Sequence, residues 1–369
     1  MINWYVLFFV PIVVSMCLAA APNPDSPDVN LWVKRVENAF RAASLPPPKR
    51  SRQLDRAAAI ASRATVGGDV RGLLRQAQVY DGMLLPVVID QHRNLTVARS
   101  GSEYIANHVI PLGVTHYGLA ARGERLVVVF TRRMLTIAHF PRPKGIGLVP
   151  IEGLIARPYR NARVLIGRPS GQIESYLADV SGGTFRSFVH FRESGEYNIE
   201  ILARGPRGQE VIALIQIGFG EDTSNAKATN THRAAGTKVP KAARRALIRW
   251  VNRERSKLGL RDLRVDPRLM STAGDHARAM AEARQASHVL PGGQGAARRL
   301  SEAGIVTRRF YENVAMAKTA EQAHAELWSS PSHRQALVDP HITHIGVGVS
   351  TVPSPVGRVL YITQHLVER

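Results

Sequence analysis

The pattern of hydrophobic and polar positions changes along the chain, and each pattern predicts a different type of element. Between residues 30 and 80, apolar side chains recur three and four positions apart, which indicates amphipathic helices. Between residues 83 and 141, short β-branched runs such as Leu126–Phe130 indicate buried strands. We therefore expect an α/β domain over residues 30–141.

The next stretch, residues 145–220, has the pattern of an all-β domain. Short apolar runs such as Val164–Ile166 and Val211–Ile215 are separated by glycine-containing turns. Strands of this length and spacing predict a β-sandwich. The segment that starts at Gly195, with the Gly205-Pro206 turn after it, is similar to the late strands of an immunoglobulin-like domain.

Residues 221–240 contain almost no large apolar side chains, so we expect a linker that buries no core. Helical spacing resumes after this segment, and β-rich runs follow towards the C-terminus. The pattern predicts a third domain over residues 241–369 that is helical at its start and contains a sheet at its end.

The N-terminus carries a short apolar segment, residues 1–21, that ends in small residues before an abrupt polar turn. These are features of a secretory signal peptide. Cys17 adds the alternative of a lipid anchor, and an uncleaved apolar anchor is a third possibility. Each of the three places the rest of the chain outside the cytoplasm, so we expect a secreted or periplasmic protein.

The net charge of +20 comes from 49 Lys and Arg against 29 Asp and Glu. Such a charge attracts an anionic surface without specifying which one, and export makes nucleic acid an unexpected partner. Cys17 is the single cysteine. Once the apolar segment is removed, disulfides, thiolate zinc sites and a cysteine nucleophile are excluded.

A set of short motifs in a fixed order identifies the third domain. In chain order they are Asn252-Arg253, Asp266-Pro267-Arg268-Leu269, His276-Ala277, Ser287-His288, Glu312-Asn313-Val314-Ala315, Trp328, Ser330-Pro331-Ser332-His333-Arg334, Gly346-Val347-Gly348-Val349 and Tyr361-Ile362-Thr363-Gln364. With these motifs, residues 247–369 resemble the bacterial branch of the CAP superfamily, also called the SCP domain, which includes cysteine-rich secretory, antigen 5 and pathogenesis-related proteins. The resemblance implies a three-layer α-β-α sandwich.

The CAP resemblance also implies a central cavity lined by two histidines and two glutamates. By position, His288, Glu312 and His333 match three of these four residues. Pro331 stands where the second acid is expected, so the full set is not present. Two imidazoles and a carboxylate suit a divalent metal such as zinc. The same three side chains also suit a hydrogen-bonded polar cluster without metal.

The first domain contains weaker versions of some of the same motifs. Residues 114–118 have a counterpart in residues 342–346, and residues 125–130 have one in residues 358–362. We therefore expect residues 30–141 to be a degenerate CAP-like domain. In this register Glu103 falls opposite His333, and no Ser-His or Glu-Asn-Val motif is found, so the cavity chemistry would be lost.

The sequence leaves three functions open. The first is a binding module for a lipid, a surface polymer or a protein, with the sandwich as spacer or second contact surface. The second is a metal-assisted hydrolase of esters or peptides, in which a metal-bound water or a serine near the histidines attacks. The third is a structural wall protein. Catalytic residues remain unassigned.

Overall fold

The computed structural model describes residues 14–16, 28–63, 77–90, 97–123, 125–139, 143, 145–206, 208–220, 240–290, 292–354 and 357–369. The chain divides after Met134 into two compact units, of which the second begins at Leu135. Most of the expected signal segment, residues 64–76 of the segment expected to be helical and most of the linker lie outside the described residues. No helix of the described residues is long and apolar enough to cross a membrane.

The first unit is an α/β domain. It contains strands β1 (Val14–Met16), β2 (Lys49–Arg50), β3 (Leu84–Asp90), β4 (His116–Arg122) and β5 (Arg125–Thr131), and helices α1 (Val29–Ala42), α2 (Arg52–Ala61) and α3 (Val97–Tyr104). The strand order is β1-β3-β5-β4-β2. The apolar face of α2 packs on the sheet through Leu54, Ala57 and Ala58, against Val127 and Val129 of β5. The apolar side chains that recur at helical spacing in α2 therefore face β-branched side chains of β5, and the contact buries both surfaces.

The second unit begins with a β-sandwich. Its strands are β6 (Leu135–His139), β7 (Gly147–Ile155), β8 (Arg160–Gly167), β9 (Ile173–Leu177), β10 (Asp179–Ser181), β11 (Thr184–Phe191), β12 (Gly195–Gly205) and β13 (Gly208–Phe219). One sheet has the order β10-β11-β7-β6 and the other has β13-β12-β8-β9. All the strand pairs are antiparallel.

The sandwich starts at Leu135, ahead of the predicted boundary at residue 145. Leu135 pairs with Ile155 across the β6–β7 ladder, so this strand belongs to the sandwich and not to the domain predicted over residues 30–141. The difference has a physical reason. An apolar run identifies a strand, but the sheet to which the strand belongs depends on partners that are distant in sequence.

A buried tyrosine holds the corner between β11 and β12. The Tyr197 hydroxyl accepts hydrogen bonds from the N–H groups of Arg192 (3.1 Å) and Glu193 (3.0 Å), and donates to the Glu193 carbonyl (2.8 Å). Its ring packs edge-on against Phe191, with centroids 4.8 Å apart. One side chain therefore satisfies the turn's backbone groups and fills the core.

The C-terminal domain follows the sandwich. Its helices are α4 (Pro240–Lys257), α5 (Pro267–Glu282), α6 (Ala296–Glu302), α7 (Ala320–Ser329) and α8 (Pro331–Val338), and its strands are β14 (Arg264–Val265), β15 (Phe310–Ala317), β16 (His344–Ser354) and β17 (Gly357–Val367). The strand order is β14-β16-β17-β15. Helices α4, α7 and α8 share one core with this sheet, which includes Leu247, Leu327, Leu337 and Ile362.

Two polar residues fix the helices on this sheet. Asp266 caps α5 by accepting from the N–H groups of Arg268 (2.8 Å) and Leu269 (3.2 Å). This capping satisfies donors that the helix itself leaves free. The buried Arg255 guanidinium donates to four backbone carbonyls, including those of Leu337 (2.7 Å) and Ile342 (3.3 Å). It thereby ties the end of α4 to the segment after α8.

The sheets of the two α/β domains share a strand order. Omitting β1, the first reads β2-β4-β5-β3 and the second β14-β16-β17-β15, with a short parallel edge strand in both. The backbone N–H of Lys49 donates to Thr115 (2.9 Å), and that of Arg264 donates to Thr343 (2.9 Å). In each domain, a threonine hydroxyl then lies 2.9 Å from Nδ1 of the following histidine.

A glycine lets a helix approach the sheet closely in both α/β domains. A Cβ on Gly118 would lie 2.3 Å from the Leu54 carbonyl carbon, and a Cβ on Gly346 would lie 2.2 Å from the Leu269 carbonyl carbon. No side chain fits at such a distance, so glycine is required wherever the helix backbone crosses the strand this closely.

We expect Gly346→Ala to destabilise the C-terminal domain by about 3 kcal/mol, because the added methyl overpacks against a backbone that cannot move aside. Gly274→Ala is the control, because a Cβ there meets no atom within 4 Å. It should stabilise helix α5 by about 0.5–1 kcal/mol. Urea unfolding of the full chain measures both changes. Equal effects of the two variants would contradict the proposed close approach.

Candidate functional site

The first predicted residue, His288, lies in the loop between α5 and α6 and is 1% exposed. The loop is fixed from helix α5, because His276 Nε2 lies 2.9 Å from the Ser287 carbonyl oxygen. A carbonyl only accepts, so Nε2 of His276 carries the proton. Burial lowers the pKa of His276 to about 4, which keeps this imidazole neutral. The neutral ring holds the Ser287 backbone and so places His288.

Glu312, on strand β15, is the centre of the site. Its Oε1 accepts from His288 Nδ1 (2.7 Å) and its Oε2 accepts from His365 Nε2 (2.8 Å). The Arg299 guanidinium on α6 also bonds to Oε2. His365 stands directly opposite Glu312 in the β15–β17 register. A loop, a helix and two strands therefore meet at one carboxylate.

The charge state of Glu312 follows from these partners. Burial alone would raise the pKa of Glu312. The hydrogen bonds from His288 and His365, together with the positive charge of Arg299, outweigh burial and hold the pKa well below its ordinary value. An ionised carboxylate only accepts, so His288 is protonated on Nδ1 and His365 on Nε2. Glu312 is thus a buried anion whose two oxygens are both occupied.

The third predicted residue, His333, is joined to a different carboxylate. His333 Nδ1 lies 2.8 Å from Ser330 Oγ, and that hydroxyl donates to Glu200 Oε1 at 2.7 Å. Since the serine proton points to Glu200, Nδ1 of His333 must be the donor in its own bond. His333 is not among the hydrogen-bond partners of Glu312 within the described chain, although Asn313 donates to the His333 carbonyl at 3.3 Å.

Glu200 comes from the β-sandwich and is fully buried. Besides bonding to Ser330, its Oε2 accepts from the Ser332 backbone N–H at 2.8 Å. The carboxylate thus neutralises the first turn of α8, where anions are stabilised by the helix dipole. One strand of the sandwich is anchored on a helix of the C-terminal domain by a residue 130 positions away from its partner.

The contact between the sandwich and α8 contains a small cavity. A cavity of about 10 Å³ is lined by Leu165, Leu202, Tyr311, Glu312, Asn313, Ser332, Gln335 and Ala336. This volume is close to the minimum for one water molecule. Leu165 and Leu202 of the sandwich form one side of this space.

Arg334 is the second charged residue buried at this contact. Its guanidinium lies 5.7 Å from the Trp328 ring centroid, and its Nη2 would be 2.3 Å from a Cβ on Gly167 of strand β8. Burial lowers the pKa of Arg334, and the negative charge of Glu200 opposes this shift. The sandwich therefore places the carboxylate of Glu200 near Arg334. It also provides a contact surface at Gly167, where no side chain separates the guanidinium from the backbone.

Hydrogen bonds occupy several of the atoms that a metal ion would use in this site. Among the described residues, no group of three or more His, Cys, Asp or Glu side chains is placed to hold one. Both oxygens of Glu312 and the Nδ1 of His333 are already committed to other hydrogen bonds. Zinc binding through His288, Glu312 and His333 stays a prediction.

Three contributors to the site were missed by the sequence reasoning: His365, Arg299 and Glu200. His365 had a usable signal, since a strand that pairs with β15 must place one residue opposite Glu312. Arg299 had no such signal, because the local sequence does not show that its guanidinium reaches the His288 carbonyl (3.2 Å). Glu200 carried no local signal, because its partners lie in another domain.

Comparisons with known proteins agree with the position of this site in the chain. The sequence model of the CAP family, described as the cysteine-rich secretory protein family, matches residues 248–366. The uncharacterized protein YkwD of Bacillus subtilis is 29% identical over 126 residues, covering 34% of this chain. The match spans 49% of that relative, or about half of its length.

Two solved structures are also similar to this chain. An outer surface protein from Borrelia burgdorferi is 21% identical, covering 35% of this chain and 95% of that chain, with a TM-score of 0.31. An extracellular protein containing a SCP domain from Bacillus anthracis is 14% identical, covering 62% of this chain and 87% of that chain, with a TM-score of 0.32.

Removing the buried carboxylate of the sandwich should weaken its attachment. We expect Glu200→Ala to lower the unfolding free energy by roughly 2–4 kcal/mol, because Ser330 and the Ser332 N–H lose a charged acceptor. Glu196→Ala, at an exposed position on the same face of β12, should cost less than about 0.5 kcal/mol. Urea unfolding compares the two, and equal losses would disprove the anchoring role.

The buried neutral His276 should make stability depend on pH. The unfolded residue takes up a proton near 6.5, whereas the folded residue resists protonation down to about 4. Stability is therefore fully present above about pH 6.5 and is lost as the pH falls towards 4. We expect His276→Gln to remove about 2 kcal/mol of the loss between about pH 7 and about pH 5.

The control for this pH dependence is His341→Gln, at an exposed position. Urea unfolding at the two pH values should show the same loss in this variant as in the natural chain. If His276→Gln also retains the full loss, His276 is not a source of the pH dependence.

Proposed function

The C-terminal third of this chain belongs to the cysteine-rich secretory protein (CAP) family, and from that premise we propose that the protein is an exported binding module of the bacterial envelope. The ligand would be a surface polymer, a lipid or a protein. The sandwich and the CAP domain would act together as one binding body. The buried His and Glu residues would then have a structural role, and the exposed surface would recognise the ligand.

The observation that carries this proposal is the occupancy of Glu312. A general base or acid has to exchange a proton with a substrate that it can reach. Glu312 is buried, and its oxygens accept from His288, His365 and Arg299. Its depressed pKa also keeps it from acting as a proton donor at neutral pH. This combination supports a fixed structural centre and disfavours turnover.

The serines near the histidines support the same conclusion. The Ser330 hydroxyl donates to Glu200 and is 5% exposed, and the Ser287 hydroxyl donates to the Val289 carbonyl at 2.7 Å and is 4% exposed. A nucleophilic serine needs a base to take its proton and a path to the substrate. Neither serine has both of these, so the hydrolase alternative lacks a supporting contact.

We propose that the sandwich is immunoglobulin-like. The orders β6-β7-β11-β10 and β9-β8-β12-β13 correspond to strands A-B-E-D and C′-C-F-G of that fold. Tyr197, at the start of the strand that would be F, bonds back to Glu193 as in a tyrosine corner.

We propose further that residues 30–141 contain a degenerate CAP-like repeat, ending at Met134. The shared strand order and the paired glycine contacts support it. In matching register, Pro86 and Val129 of the first sheet take the places of Glu312 and His365. The exposed Glu103 supplies no replacement for the missing carboxylate. Loss of this polar pair would account for the missing motifs.

Export is part of the proposal and is supported by the apolar segment over residues 1–21. Lipid attachment through Cys17 is the alternative form of export. Mass spectrometry of the protein recovered from a bacterial host tests both, because a cleaved chain lacks Cys17 and a lipidated chain begins with it.

Two measurements on the purified full chain test binding against hydrolysis. We expect it to sediment with isolated bacterial envelopes and to release no product from ester or peptide substrates beyond the buffer rate. His333→Ala serves as the control for hydrolysis. Turnover that disappears in His333→Ala would contradict the binding proposal and favour the hydrolase, and failure to sediment with envelopes would remove its main support.

A further inference from the structure

Helix α4 presents one face to the core and leaves another to solvent. Ala243, Leu247 and Val251 are buried in the core that the helix shares with the sheet of the CAP domain. These contacts fix the rotation of the helix about its axis. The side chains on the opposite face therefore point away from the domain in a defined direction.

The outer side of α4 carries a cation at every fourth position. We call Lys241, Arg245, Arg249, Arg253 and Lys257 the basic stripe, and all five are exposed. With a rise of about 1.5 Å per residue, successive charges are about 6 Å apart along the axis and the stripe extends about 24 Å. Such spacing gives a row of charges and not a compact pocket.

The fold does not neutralise this row. Among the described residues, Lys241, Arg245 and Arg249 form no ion pair, and the single acid of the helix, Glu254, pairs with Arg253 and Lys257. Like charges four residues apart destabilise a helix. Cations in the first turns also oppose the helix dipole, which favours anions there. The basic stripe is therefore placed against the electrostatic preferences of its own helix.

We propose that the basic stripe binds a linear polymer that carries phosphate groups, as the recognition surface of the proposed envelope-binding protein. An anion bound along the helix would relieve both the repulsion between neighbours and the conflict with the dipole. Three of the five residues are arginines, whose planar guanidinium donates two parallel hydrogen bonds to a phosphate. This geometry suits an oxyanion such as phosphate, and a carboxylate polymer is therefore the competitor that the test has to include.

A polymer suits the basic stripe better than a single small anion. One exposed ion pair contributes little in water. Several phosphates on one chain bind together, because each contact raises the effective concentration of the next. Each contact also releases counterions from the polymer, so affinity falls steeply as salt is added. This inference rests on the proposed binding function and locates its surface.

The test is titration of the full chain with inorganic polyphosphate at several salt concentrations. We expect the double variant R245Q/R249Q to raise Kd roughly tenfold at low salt and to lower the slope of log K against log salt by about 1.4. The matched control is R278Q/R298Q, which removes the same charge from exposed arginines that are paired with Asp275 and Glu302. It should leave the slope nearly unchanged.

Three outcomes would overturn the proposal. Equal losses in the two double variants would mean that binding follows the net charge and not the basic stripe. Equal affinity for polygalacturonate would show that the surface does not select phosphate. Stripe-dependent binding to phosphatidylglycerol vesicles without binding to polyphosphate would assign the surface to membranes.

Sedimentation with envelopes separates this inference from the proposed function. If the natural chain and R245Q/R249Q sediment equally, the basic stripe is not the recognition surface, but the envelope-binding function still holds.

Discussion

A buried carboxylate needs enough donors to compensate for the water it has lost, and the CAP domain is arranged around this requirement at Glu312. Removing an ion from water costs several kcal/mol unless charged hydrogen bonds replace the solvent. The replacements come from His288, His365 and Arg299, on three separate elements. Each element must therefore hold its position for the others to be stable. The hydrogen bonds that hold these elements together also occupy the Glu312 carboxylate, which a hydrolase would need for proton transfer.

Glu200 applies the same requirement across a domain boundary. Its carboxylate is satisfied only when the sandwich lies against the first turn of α8, since Ser330 and Ser332 supply its bonds. Leu165 and Leu202 line the small cavity at the same contact. These contacts attach the sandwich to the CAP domain, whereas the sequence left open whether it acts as a spacer or as a second contact surface.

Sequence reasoning predicted what depends on local pattern and missed what depends on distant partners. The ordered motifs placed the CAP domain, and the match over residues 248–366 confirms it. They also named His288 and Glu312, which are hydrogen-bonded. The partner of His333 was not predictable, because Ser330 connects it to Glu200 in a different domain. Strand β6 was assigned to the wrong domain for a similar reason, since only its pairing with β7 reveals its sheet.

Pro86 and Val129 occupy, in the first sheet, the register of a carboxylate and an imidazole in the second. Residues around a buried anion are constrained as a set, because replacing any one of them leaves a buried charge without a partner. An apolar pair removes that interdependence, so its neighbours tolerate substitution one at a time. Under the proposed repeat, the first sheet would therefore be free to change its sequence while its ladder of backbone bonds persists, and the shared strand order would outlast the shared motifs.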